Sequence, residues 1–139
     1  MTEGRKYPGK LLLFGEYTAI NGGDTLAIPF NKFYANWSYR REAEAGESSG
    51  LETFYQFLNT EMGSFFDLDE MMEENRKGLY LSSTIPVGYG LGSSGSVVAA
   101  VFDRFYLGKT QKDPDELLKI FQKMEAFFHG SSSGIDPLI

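Results

Sequence analysis

The sequence has no cysteine and a single histidine, His129, among its 139 residues. The first absence excludes disulfides and thiolate metal sites and suits a reducing cytosol. The second excludes a multi-histidine metal centre. Basic residues form no stripe beyond short pairs such as Arg40-Arg41, and the net charge is −6, so neither nonspecific nucleic-acid binding nor attraction to an acidic membrane is supported. No apolar run approaches the roughly 20 residues that a membrane helix needs, and the first residues lack the pattern of a secretion signal. A cytoplasmic protein is the resulting expectation. Internal repeats and low-complexity segments are also absent.

What the chain does have is apolar and aromatic material, 42% and 15% of its residues, enough for one domain with a well-packed core. Lys10 to Phe14 is an apolar run between glycines, which predicts a buried strand with Lys10 at its mouth. Tyr17 to Ile20 lead into the turn Asn21-Gly22-Gly23-Asp24, and Thr25 to Ile28 predict a returning strand ended by Pro29. Phe33 to Tyr39 predict a third strand, and Arg41 to Gly50 a solvated loop. Leu51, Phe54, Tyr55, Leu58 and Met62 fall at helical spacing, ended by Gly63. Asp67-Leu68-Asp69-Glu70 has the form of a capping box for a second helix running to about Arg76, with Met71 and Met72 as core filler.

Gly78 to Ile85 predict another strand. Val97, Val98, Val101, Phe102 and Phe105 share one side of a helix that stops at Gly108. Asp113-Pro114-Asp115-Glu116 open a last helix with a cap, a proline at its first position and acid in its first turn. Leu117, Ile120, Phe121, Met124 and Phe128 form its apolar stripe, and Glu125 falls at the stripe's edge, where a carboxylate needs a partner. Strands do not alternate with helices, which argues for an α+β domain with a mostly antiparallel sheet and helices on one side, not a doubly wound sheet.

Between the fourth predicted strand and its following helix lies Ile85-Pro86-Val87-Gly88-Tyr89-Gly90-Leu91-Gly92-Ser93-Ser94-Gly95. Glycines allow positive φ and close approach to a ligand, while the helix start offers unpaired N–H groups and the positive end of a dipole. A phosphate suits such a junction; a tight strand-to-helix turn with no ligand is the alternative. The G-x-G-x-x-G pattern fits residues 90–95, but a dinucleotide site requires a second strand with an acidic residue about twenty positions on, and here another helix follows. A protein-kinase loop requires a lysine-bearing strand next, and the Walker pattern requires Gly-Lys-Ser/Thr. Neither is present.

Pro86-Val87-Gly88-Tyr89-Gly90-Leu91-Gly92-Ser93-Ser94 resembles the second motif of the GHMP kinases at every fixed position. Pro8-Gly9-Lys10-Leu11-Leu12-Leu13-Phe14-Gly15-Glu16 resembles the family's first motif. Glu125 with His129-Gly130-Ser131-Ser132-Ser133-Gly134-Ile135-Asp136 is similar to a segment of its mevalonate kinase branch. The resemblance implies the N-terminal lobe of such a kinase, like domain 2 of ribosomal protein S5 in fold. It also implies ATP and Mg²⁺ as cofactors and a small-molecule alcohol as partner, with mevalonate first and phosphomevalonate, homoserine or a sugar as alternatives.

On this reading Gly88, Tyr89, Gly90, Leu91, Gly92, Ser93 and Ser94 hold the triphosphate, and Ser83 contacts ATP. Ser94 and Glu125 bind the metal, Asp136 is the general base with Lys10 beside it, and Glu16 and Tyr17 border the acceptor pocket. Each has an ordinary alternative: helix capping for Ser93 and Ser94, a salt bridge or edge position for Glu125, a turn residue for Asp136, a strand-end lysine for Lys10. The sequence departs from the family pattern at Tyr17, where histidine is common, at Gly95-Ser96, where alanines are usual, and at Ser132, where proline is usual. His129 is expected to orient the catalytic loop.

GHMP kinases have two lobes and roughly twice this length, and their third, glycine-rich motif has no counterpart here. Residues 1–139 are therefore expected to be a truncated N-terminal ATP-binding domain, lacking its C-terminal lobe and weakly active or inactive alone. A non-catalytic nucleotide- or phosphate-binding fragment that needs a partner lobe is the alternative. Uncovered apolar surface makes a homodimer a further expectation.

Overall fold

The computed structural model describes residues 5–14, 26–40, 51–86, 92–108 and 113–129. Among these, three strands form one antiparallel sheet in the order β1-β2-β3: β1 Tyr7–Phe14, β2 Leu26–Tyr39 and β3 Leu79–Ser83. Four helices accompany it: α1 Glu52–Met62, α2 Leu68–Arg76, α3 Ser93–Phe105 and α4 Pro114–His129. This is the expected α+β architecture. α3 packs on β1 and β2, α2 on β3, and α4 lies against α3 and α1.

The strands depart from the sequence reading in two places. β1 begins at Tyr7, so Lys10 lies inside the strand and not at its mouth. Tyr7 and Pro8 are recruited by Ala35 and Tyr34 across the ladder, and an edge strand tolerates a residue without an N–H. The second and third predicted strands are one strand, β2, which runs straight through Pro29. Pro29 pairs with Lys10 on the β1 side, whereas β3 covers only Ala35 to Tyr39 on the other. Among the described residues, the proline thus sits where one edge of β2 carries no ladder to break. The two-strand reading has a local basis: the register jumps from Pro8↔Tyr34 to Gly9↔Phe30, leaving Asn31, Lys32 and Phe33 outside the ladder. The predicted turn at Asn21 to Asp24 and the loop from Arg41 to Gly50 lie outside the described residues.

The helices follow their local signals more closely. Asp67 caps α2, its carboxylate accepting the Glu70 N–H at 3.1 Å. α1 stops at Met62, but Gly63 has right-handed geometry, φ −57°, in place of a left-handed cap. Left-handed geometry appears instead at Gly78, φ 97°, which turns α2 into β3. Met71 is fully buried as expected, whereas Met72 faces solvent.

The main core gathers one face of each helix, with Phe54, Leu58, Met71, Val101, Phe105 and Met124 among its buried members. Edge-to-face contacts lock its layers: Phe102 with Phe121 at 4.9 Å joins α3 to α4, and Trp37 with Phe105 at 5.8 Å joins β2 to α3. A smaller cluster of Tyr7, Ala35, Ile85 and Ala100 lies where β3 leaves the sheet.

Glu74 of α2 is 8% exposed and charged, which demands compensation. The Tyr39 hydroxyl donates to its Oε2, Arg104 Nη2 lies 3.5 Å from the same oxygen, and Lys77 Nζ lies 3.6 Å from Oε1. Together they tie α2, α3 and β2. The Tyr39 bond, assisted by the two cations, outweighs burial and holds the Glu74 carboxyl below its ordinary value of 4.5. A lowered carboxyl contributes stability above its unfolded value and loses it as pH falls through the folded one. Glu74→Gln is therefore expected to destabilise the fold by about 1–2 kcal/mol at pH 7. The gap to wild type should close below pH 4.5. Urea titrations followed by the sole tryptophan, Trp37, at neutral and acid pH measure both effects.

Candidate functional site

The exit from β3 aims the chain at the glycine stretch. Thr84 extends the β2 pairing after the strand ends: its N–H donates to the Tyr34 carbonyl at 2.9 Å, and its Oγ1 accepts the Tyr34 N–H at 3.0 Å. The hydroxyl of Ser83 accepts the Ile85 N–H at 3.1 Å. Ile85 then buries itself in the small cluster beside Tyr7 and Ala100. Ser83, read from sequence as a nucleotide contact, is thus placed at the root of the loop, with an exposed side chain that shapes the turn. Gly88, Tyr89, Gly90 and Leu91 lie outside the described residues, as do Glu16, Tyr17 and Asp136.

The described structure resumes at Gly92, whose backbone is left-handed, φ 85° and ψ 30°. Gly92 is the residue before α3, so it is the N-cap, and it offers no side chain to the first turn. This removes the N-cap reading of Ser93 and Ser94, which are the first two helical residues. The N–H groups of that turn and the positive end of the helix dipole lie at the Gly92 end of α3. The departure at Ser96 is accommodated locally: its hydroxyl donates to the Ser93 carbonyl at 2.6 Å, and its N–H bonds the Gly92 carbonyl at 2.9 Å. Gly95 and Ser96 are both buried in the first turns of α3.

Lys10 and Gly92 are 82 positions apart in the chain, and the structure brings them into contact. A Cβ built on Gly92 would stand 2.9 Å from Lys10 Cγ and 3.5 Å from both its Cδ and its backbone nitrogen. The lysine stem occupies the room that only glycine leaves. The stem of a basic residue on a strand is thereby set beside a helix start that has no side-chain cap, a combination that suits phosphate on charge and on hydrogen-bond donors together.

Glu125 is 2% exposed, buried in α4 and not at the edge of the apolar stripe as its spacing suggested. The edge position belongs to Phe128, which is partly exposed but still touches Phe54 at 5.1 Å between ring centres. Glu125 lies one turn beyond Phe121 on α4, while Ser94 lies two turns before Phe102 on α3, so both belong to the same pair of packed helices. His129 is the last residue of α4. Among the described residues no three acidic or histidine side chains cluster as a metal site. One carboxylate and one hydroxyl are nevertheless hard oxygen donors of the kind Mg²⁺ accepts when phosphate oxygens and water fill its remaining positions. No helix among the described residues is long and apolar enough to cross a membrane.

Two residues with a bearing on the site carry no local signal in the sequence. Tyr7 donates to Asp103 Oδ2 at 2.7 Å, linking β1 to α3. Asp103 is otherwise one polar position on an amphipathic helix.

Residues 52–138 match the family described as GHMP kinases N terminal domain. Among curated proteins, the mevalonate kinase of Thermococcus sibiricus is 32% identical over 159 aligned positions, which cover 95% of this chain and 47% of that protein. The mevalonate kinase of Pyrococcus abyssi is 28% identical with the same coverage. A galactokinase of Streptococcus thermophilus is 27% identical, covering 92% of this chain and 38% of its own. The chain thus spans about half the length of the mevalonate kinases it matches.

Proposed function

Since this chain belongs to the GHMP kinases, whose N-terminal domain it carries, we propose that it is the nucleotide-binding lobe of an ATP-dependent kinase of the mevalonate kinase type. The observation that carries this reading is the Lys10 stem packed against left-handed Gly92 at the start of α3. Two motifs far apart in sequence meet there, in a combination of a basic residue and a helix start that suits a triphosphate.

In the proposed reaction, backbone N–H groups from Gly88 to Ser94 hold the phosphates, with Tyr89, Gly90, Leu91, Gly92 and Ser93 in the same cradle and Ser83 at its root. Ser94 and Glu125 hold Mg²⁺, which when bound neutralises the charge of the phosphates. Asp136 takes the proton from the primary hydroxyl of mevalonate, whose oxygen attacks the γ-phosphorus as ADP leaves. Lys10 offsets the charge that develops during transfer, and Glu16 and Tyr17 border the acceptor. Phosphoryl transfer of this kind depends on positioning and electrostatics more than on covalent work by the protein.

Lys10→Met keeps the stem that packs on Gly92 and removes the ammonium. It is expected to weaken MgATP binding about 10- to 100-fold, as the loss of one charged hydrogen-bond donor does, with little change in the urea midpoint. Titration calorimetry of the two proteins checks it; equal affinities would remove Lys10 from the site. Mevalonate-dependent ADP formation tests the reaction itself, and phosphomevalonate, homoserine and galactose are the control acceptors. Because the chain spans about half of its kinase relatives, a second reading is a nucleotide-binding unit that turns over only with a partner lobe. MgATP binding with no mevalonate-dependent ADP from this chain favours that reading. Steady turnover at an ordinary kinase rate, on the order of 1–100 per second, excludes it.

A further inference from the structure

Lys10 is only one of two points at which β1 grips the α3 segment. At the other end of the same interface, Tyr7 donates its hydroxyl to Asp103 Oδ2 at 2.7 Å, and Arg5 Nη1 donates to Asp103 Oδ1 at 3.0 Å. Gly92 and Asp103 are roughly 16 Å apart along the helix, so β1 is fastened at its first residue, Tyr7, and again within the strand at Lys10. Tyr7 is 6% exposed and packs with Ile85, the residue that leads into the glycine stretch. Burial first, and then the bond to Asp103, hold the phenol protonated well above its ordinary range, so it remains a donor at any working pH.

The path between the two grips is irregular. Residues three apart on a regular strand point to opposite faces of the sheet. Tyr7 and Lys10 are three apart, yet both meet the α3 segment. The register shift between Pro8 and Gly9 falls between them, with Asn31, Lys32 and Phe33 of β2 left out of the ladder. The three extra residues stand on β2, and an insertion of this kind adds local twist, which turns the β1 side chains after Gly9 relative to those before it. It does not by itself fix where they end, since β1, at the sheet edge among the described residues and with a broken ladder, has latitude to rotate. The Tyr7–Asp103 bond removes that latitude on the side away from Gly92.

We propose that Tyr7 and Asp103 are positioning residues that, acting across the Pro8–Gly9 register shift, set the Lys10 side chain against Gly92. The role of this pair rests on the reading of Lys10 and the glycine stretch as a phosphate site, whereas the geometry it controls can be observed without nucleotide. The Arg5 pair is largely solvated and is expected to contribute little.

The test compares wild type with Tyr7→Phe, Asp103→Ala, the double variant and Asp103→Asn in the complete chain. In nucleotide-free NMR spectra, Tyr7→Phe and Asp103→Ala should each shift the Gly92 amide and the Lys10 side-chain resonances. The double variant should add nothing to either, as expected for two ends of one bond. Asp103→Asn retains an acceptor for the phenol and should restore most of the wild-type spectrum. MgATP affinity should fall about fivefold in Tyr7→Phe and Asp103→Ala and recover in Asp103→Asn. Glu74→Gln supplies a destabilised control in which neither signal moves.

Additive effects, or unmoved Gly92 and Lys10 signals in folded Tyr7→Phe, would overturn the proposal. If Tyr7→Phe does not fold, the contrast between Asp103→Ala and Asp103→Asn decides it. Wild type that fails to bind MgATP refutes the phosphate-site reading alone, because the nucleotide-free spectra still report whether the pair positions Lys10.

Discussion

Alanine in place of Gly92 is expected to lower MgATP affinity about 100-fold and fold stability by about 2 kcal/mol. The stability loss has a conformational origin: φ is 85°, where an L side chain is strained by about 1–2 kcal/mol. The affinity loss has a separate origin. The new Cβ would lie 2.9 Å from Lys10 Cγ, closer than carbon atoms approach, and 3.5 Å from the Lys10 backbone nitrogen. The strand backbone limits the retreat, so the lysine stem must swing aside and the helix start must shift with it. Both halves of the anion site then move at once.

Gly78→Ala is the matched control. Its φ of 97° carries similar strain, but its Cβ would meet Arg40 no closer than 3.5 Å, an ordinary contact, and it lies between α2 and β3. Gly78→Ala should therefore lose comparable stability and bind MgATP as wild type does. Urea unfolding and calorimetry on the two variants separate the effects. Wild-type affinity in Gly92→Ala would show that the contact with Lys10 has no part in nucleotide binding.

The parts of this molecule that the sequence made legible are those whose signals are local. Asp67 and Glu70 are three residues apart, and their cap forms as the capping pattern requires. Asp113-Pro114 opens α4, and the glycine stretch hands over to α3 at Gly92 and Ser93. Strand limits were less legible because they depend on partners. Pro29 looked like a terminus, and only the one-sided ladder of β2 explains why the strand passes through it.

Glu125 shows the same limit for a side chain. Spacing relative to Phe121 and Phe128 placed it at the border of an apolar stripe, but burial is set by what the other helices bring, and it is fully enclosed. The meeting of Lys10 with Gly92, and of Tyr7 with Asp103, spans most of the chain and has no local signature. The family resemblance supplied Lys10 and Gly92, since both stand in its motifs. It was silent on Tyr7 and Asp103, which stand at no fixed position of those motifs.

Glu125→Gln carries the other large effect, because an enclosed carboxylate can serve either the fold or a metal, and the two roles respond oppositely to magnesium. Glutamine keeps the shape and an acceptor oxygen while removing the charge. Were Glu125 one half of a buried ion pair, its neutralisation would destabilise the chain by about 3–5 kcal/mol with or without Mg²⁺. As a metal ligand it has another signature. Stability without metal should change little, because the desolvation of a charge at 2% exposure is relieved as the charge is removed. The metal-dependent part of nucleotide binding should disappear, so that affinity for MgATP falls about 10- to 100-fold while affinity for ATP in EDTA is unchanged.

Thermal unfolding reports the same linkage. Wild type should gain stability with MgATP in proportion to the logarithm of ligand over Kd, and Glu125→Gln should gain only what ATP alone confers. Ser94→Ala is expected to move in the same direction by a smaller amount, since a hydroxyl is a weaker ligand than a carboxylate. A variant that is destabilised by about 3–5 kcal/mol without metal, yet gains as much stability from MgATP as wild type does, would assign Glu125 to the core. The metal would then have to be held by other groups.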